Sequence, residues 1–119
     1  MARRKPNKKA KEFAIAAARI AQERRCTNIM ILDLRGLSSA TDYFVIATGS
    51  SNRQMRTVAD EISQAGREQG FPRFGRAGYE QGRWILLDYV DVVVHLFDTE
   101  YRQFYDLELL WGDAERVDY

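Results

Sequence analysis

Two aspartates, one histidine and one cysteine are the side chains whose types and spacing could support chemistry. Asp88 and Asp91 flank Tyr89-Val90, between the apolar runs 84–87 and 92–96. Two carboxylates can hold Mg²⁺, but three residues apart in a turn they need not point the same way. Turn-forming acids are the favoured reading. His95 sits inside the second run. By strand alternation it shares a face with Val93 and Phe97, opposite Val92, Val94 and Leu96. A catalytic histidine needs a nucleophile or an orienting acid, and no local pattern supplies one, so a hydrogen-bonded structural role is favoured. Cys26 stands at a predicted helix end beside Arg24 and Arg25, cations that can lower a thiol pKa. Without a partner signature it reads as a passive thiol. One His and one Cys far apart in sequence do not make a metal centre. Neither a metal nor a cofactor is expected.

Gly49-Ser50-Ser51, between a predicted strand and a predicted helix, is the other chemical candidate. Backbone N–H groups at a helix N-terminus can bind phosphate. A P-loop would also need a Lys after its second Gly, and none is here. The turn is similar to the Gly-Ser loop of nucleotidyltransferases, which pair it with two aspartates one residue apart on a following strand. This chain has no such Asp-x-Asp. Simple helix capping is the favoured function of the turn, with Ser51 and Gln54 in capping-box spacing.

With little chemistry in the residues, surface remains. Trp84, Leu86 and Asp88 would share one face of a strand, with Ile85, Leu87 and Tyr89 on the other. Trp and Tyr are common interface anchors, so an exposed Trp84 would suit a protein partner. Composition alone favours the plainer alternative, a Trp84 packed in the core.

The elements that must position these groups follow from periodicity. A helix is predicted over 9–25, with an apolar stripe of Phe13, Ala16, Ala17, Ile20 and Ala21. Strands are predicted at 28–34 and 43–48, and a second helix at 52–69, with Met55, Val58, Ala59, Ile62 and Ala65 inward. A short edge strand is expected at 71–74, since Pro72 cannot serve a central ladder. A loop follows at 76–82, then a strand–turn–strand hairpin over 83–97. Asp98 or Thr99 can cap a third helix, 100–110, with Phe104, Leu107, Leu110 and Trp111 inward. The order is α-β-β-α-(β)-β-β-α: one compact α/β domain, a mixed sheet of four or five strands with flanking helices. The domain is expected over 9–112, between a flexible basic arm, 1–8, and a loose acidic tail, 113–119.

At 119 residues the chain is long enough for one core. No apolar run approaches the roughly 20 residues of a membrane helix, and the basic N-terminus lacks the apolar segment of a secretory signal. A lone cysteine fits a reducing cytosol, so a cytoplasmic protein is expected. The net charge of +1 hides an asymmetry. Residues 1–11 hold six cations and no acid, and the rest of the chain twelve cations against seventeen acids. Such an arm could contact RNA phosphates through Arg3, Arg4, Lys5, Lys8 and Lys9. A solvated terminus is the alternative.

Three blocks carry a resemblance. The first is Asp33-Leu34-Arg35-Gly36-Leu37-Ser38 with Thr41-Asp42-Tyr43-Phe44-Val45-Ile46-Ala47-Thr48-Gly49-Ser50-Ser51. The second is Trp84-Ile85-Leu86-Leu87-Asp88-Tyr89 with Asp91-Val92-Val93-Val94-His95-Leu96-Phe97. The third is Arg102-Gln103-Phe104-Tyr105-Asp106-Leu107-Glu108-Leu109-Leu110-Trp111. Together they resemble the ribosomal silencing factor family, also called Iojap or RsfS, over residues 11–114.

The resemblance implies a nucleotidyltransferase-like α/β domain without catalytic acids, hence not an enzyme. It implies binding to the large (50S) ribosomal subunit through its protein number fourteen. That contact would sterically block joining of the small (30S) subunit and repress translation under nutrient limitation. It places Trp84 at the partner surface, exposed or half-exposed, with Asp88, Tyr89 and Asp91 bordering it. The alternatives are a residual nucleotide-binding or nucleotidyltransferase-type enzyme and a large-subunit assembly factor. An exposed Trp and an open sheet edge could also make a homodimer of the free protein. Two positions depart from the family pattern. Val90 replaces the Gly that the family usually carries in the hairpin turn; if that Gly has positive φ, Val would be strained there or the turn redrawn. Ala77 stands where the family tends to carry Glu.

Overall fold

Apolar spacing of two kinds builds this fold: helical stripes on two long helices, and alternation on the strands they cover. The computed structural model describes residues 8–71 and 73–119, with Lys8 described in its backbone alone. Helix α1 is Lys8–Glu23, strand β1 Thr27–Asp33, β2 Tyr43–Thr48 and α2 Asn52–Glu68. Then come β3 Gly75–Ala77, β4 Trp84–Asp88, β5 Val92–Phe97, α3 Thr99–Phe104, α4 Leu107–Leu110 and β6 Glu115–Arg116. The six strands stand in the order β3-β4-β5-β2-β1-β6. Only β2 and β5 pair in parallel, which α2 and the β3–β4 segment between them allow; every other pair is antiparallel.

Helices α1 and α2 cover one face. Ala10, Phe13, Ala14, Ala17, Ala18 and Ala21 of α1 are fully buried with Met55, Val58, Ala59 and Ile62 of α2. Ala16 and Ile20, predicted in the α1 stripe, are half-buried at its margin. Against this layer the sheet presents Ile31, Tyr43, Val45, Ala47, Ile85, Leu87, Val92, Val94 and Leu96. Helix α2 starts as its spacing predicts. Ser51 Oγ accepts the Gln54 N–H at 3.1 Å, and Gln54 Oε1 accepts from the Ser50 N–H and hydroxyl.

The opposite face is covered only in part. Leu32, Leu34, Ile46 and Phe97 form a second, smaller core, roofed by Tyr101, Leu107 and Trp111 of the C-terminal segment. Here the structure differs from expectation three times. The third helix is not continuous: Tyr105 has φ −104° and ψ 83°, and α4 starts anew with Asp106 Oδ1 accepting the Leu109 N–H at 3.3 Å. Asp serves better as a cap than in a helix interior. The break turns the stripe, so Leu107 and Trp111 pack inward while Phe104 and Leu110 are 75% and 77% exposed.

The tail is not loose throughout. Glu115 and Arg116 pair with Asp33 and Leu32, because β1 otherwise leaves an open edge, and this makes the sixth strand. The edge strand at the other side is Gly75–Ala77, not 71–74. Phe71 instead stacks on Phe13 with ring centroids 5.1 Å apart, and pairing starts where the Phe74 N–H meets the Asp88 carbonyl at 2.7 Å. Pro72 lies outside the described residues.

Candidate functional site

Trp84 opens β4 on the partly covered face. Its register partner Phe97 puts two large rings side by side, with centroids 4.9 Å apart. Leu86 faces His95 one step along, and the indole N–H of Trp84 donates to His95 Nδ1 at 3.2 Å. Tyr105, in the break between α3 and α4, also meets the indole, with ring centroids 4.8 Å apart. Trp84 is thus half-buried, with its ring held by three neighbours. Gly78 lets β4 begin here: at φ +76°, a Cβ on it would lie 1.9 Å from the Trp84 carbonyl oxygen.

His95 is enclosed by the aromatic side chains of this face. It is 4% exposed and packs edge-on with Phe44 at 4.6 Å. Burial pushes its pKa down to about 4, so the ring is neutral at pH 7. Since Nδ1 accepts, the proton resides on Nε2, which has no hydrogen-bond partner. The neutral tautomer is the one that can receive the Trp84 N–H.

A second set of polar contacts fixes the C-terminal helices beside Trp84. Asp98 caps α3, accepting from the Tyr101 N–H at 2.7 Å, and takes Arg83 Nε at 2.8 Å. Burial would raise the Asp98 pKa, but the Arg83 guanidinium and the cap N–H hold it below the usual carboxylate range. Arg83 also lies over the Tyr101 ring at 4.3 Å and reaches Glu100 at 2.9 Å. Arg102 is 6% exposed; it donates to Thr48 Oγ1 at 2.9 Å and to Glu108 at 3.2 Å. A buried Arg so paired ties α3 and α4 to the end of β2. Sequence reasoning missed it, because Glu108 lies six residues on, outside helical spacing, and Thr48 is distant in sequence.

The four residues expected at a partner surface do not share one face. Asp88 lies on the Trp84 face at the far end of β4, opposite Val93. Its Oδ1 accepts the Val90 N–H at 2.8 Å, so it holds the turn. Tyr89 points the other way: it is 4% exposed and meets Phe13 edge-on at 4.7 Å, beneath α1. Asp91 is half-buried, and its carbonyl accepts the N–H groups of Asp42 and Tyr43. Among the described residues no group of three or more His, Cys, Asp or Glu could hold a metal ion. At the phosphate candidate the Ser50 and Gln54 N–H groups are used within the cap, bonded to the Gln54 and Ser51 side chains. Burial raises the Cys26 pKa to about 11, against the lowering that its arginine neighbours suggested, and the thiol is unreactive at neutral pH. Arg3, Arg4 and Lys5 lie outside the described residues, as does the Lys8 side chain; Lys9 is exposed on the first turn of α1.

Trp84 is thus half-buried on a sheet face that α3 and α4 cover only in part. The family model described as "Ribosomal silencing factor during starvation" matches residues 7–119. The chain belongs to the ribosomal silencing factor family. A ribosomal silencing factor of Bacillus subtilis is 40% identical over 102 residues, 86% of each chain. That of Halalkalibacterium halodurans is 37% identical over 107 residues, 90% of this chain and 92% of the relative. The crystal structure of a Chromobacterium violaceum protein aligns with a TM-score of 0.80 at 32% identity, covering 97% of this chain and 92% of the other. Membership extends through the C-terminal strand β6, so the segment read as a loose tail lies within the region matched to silencing factors.

Proposed function

We propose that this chain is a non-enzymatic docking factor of the cytoplasm that binds the large ribosomal subunit through its protein number fourteen. Seated there, it blocks the small subunit by bulk and represses translation when nutrients are scarce. The observation that supports this most is Trp84, half-exposed on the face left open by α1 and α2 and held by His95, Phe97 and Tyr105. An aromatic anchor whose rotamer is already fixed loses little side-chain entropy on binding. Docking also uses the acidic body, while the basic N-terminal segment contacts nearby RNA phosphates.

The test is co-sedimentation with purified 50S and 30S subunits. Wild type should pellet with 50S alone. Trp84→Ala, checked for folding by circular dichroism, should bind roughly 30- to 1,000-fold more weakly, the loss of about 2–4 kcal/mol expected of an aromatic hot spot. Undiminished binding by the folded variant would remove Trp84 from the interface.

A further inference from the structure

Two short helices beside Trp84 present apolar side chains that the fold does not use. Phe104 at the end of α3 is 75% exposed, and Leu109 and Leu110 on α4 are 78% and 77% exposed. They are not remnants of a loose end. Their helices are anchored by the buried Arg102, the Asp98 and Asp106 caps, and Leu107 and Trp111 packed on the second core. Anchored backbone with exposed large apolar groups is the character of an interaction surface rather than of core packing. The surface continues to Trp84, since Phe104 touches Tyr105 at 4.9 Å and Tyr105 touches Trp84 at 4.8 Å.

Charge selects the occupant. Residues 99–114 carry four acids, Glu100, Asp106, Glu108 and Asp113, and one cation, Arg102. That cation is buried and paired with Glu108, and Arg83 outside this stretch pairs with Asp98 and Glu100, so Asp106 and Asp113 remain in excess and the rim is net acidic. Nucleic acid and anionic lipid would be repelled from such a rim. A protein surface with an apolar centre flanked by Lys and Arg would be attracted and would cover the leucines.

We infer that Phe104, Leu109 and Leu110, within their acidic rim, form a second anchor that clasps a basic protein surface alongside Trp84. This rests on the docking reading above and adds to it the part of the partner's contact that lies beyond the sheet.

The test is binding to 50S subunits at 50 to 300 mM salt by wild type, Leu109→Ser/Leu110→Ser and Glu100→Gln/Asp113→Asn. All substituted side chains are exposed, so the variants keep the fold. The serine pair should weaken binding about 10- to 100-fold at every salt concentration, as loss of a hot-spot cluster does. Neutralising the acids should weaken binding chiefly at low salt and flatten its salt dependence. Wild-type affinity for the serine pair, beside weakened Trp84→Ala, would overturn the second anchor and leave the docking reading intact. Absence of wild-type binding would overturn both. Sedimentation velocity of the free proteins covers the remaining occupant. If the serine pair abolishes a self-association of the wild type while 50S binding is unchanged, the patch faces a second copy and the inference falls.

Discussion

Trp84 and His95 work as one unit. The indole is directed by a neutral imidazole that burial prevents from charging. This has a consequence for acid stability. In the unfolded chain His95 titrates near its ordinary 6.5, whereas in the fold it titrates at about 4. Between these values the unfolded state binds more protons, so stability falls as pH drops from about 6.5 to 4, by about 3 kcal/mol in total. A carboxylate held low in the fold, such as Asp98, loses its contribution as pH falls toward and through its ordinary 3.8, chiefly below that window. A His95→Gln variant should therefore show a much flatter melting temperature between pH 6.5 and 4, measured by calorimetry. An unchanged slope would mean that another group carries the acid sensitivity. Strand alternation was enough to put His95 with Phe97 on one side of its strand, and Trp84 with Leu86 and Asp88 on one side of theirs, but not to bring the two sets to a common face. It could not show the N–H bond between Trp84 and His95, because cross-strand register is set by the whole hairpin rather than by either run.

At the scale of elements, the hairpin turn records a local conflict. Val90 has φ +69°, a conformation that a β-branched residue rarely adopts. The turn persists because the Asp88 carboxylate takes the Val90 N–H and the Tyr89 N–H bonds the Val92 carbonyl. Relief of about 1–3 kcal/mol of left-handed strain should exceed the roughly 0.5–1 kcal/mol that glycine costs in unfolded-state entropy. Val90→Gly should then gain about 1 kcal/mol and melt about 4 °C higher, with little packing lost from a side chain already 44% exposed. A lower melting temperature would show that the turn carries no strain. The long helices, the central strands and the hairpin were legible from periodicity because each buries a whole face. The broken α3–α4 segment was not, since a run with a single covered face can satisfy it as one helix or two. The β6 pairing was also hidden, because Glu115-Arg116 has no apolar alternation and joins the sheet only by completing the edge of β1.

Over the whole molecule, a folded body of 40 × 32 × 24 Å presents its long helices on one side and Trp84 with α3 and α4 on the other. A standard interface takes about 800 Å² from each partner, roughly a ninth of the 7289 Å² accessible here. Docking through one face leaves the helix layer projecting from the surface it binds. Even the smallest extent of the body is 24 Å, so on the proposed docking steric exclusion would require affinity and bulk but no chemistry. The order in which components meet should then matter. The most direct measurement is 70S formation, followed by light scattering and sucrose gradients, with the protein added to 50S before or after 30S. The expected result is that prior addition prevents 70S from forming, with the protein found on 50S alone, while addition to preformed 70S acts only as fast as subunits separate. Normal 70S formation with the protein bound to 50S would contradict steric silencing, whatever its affinity for the subunit.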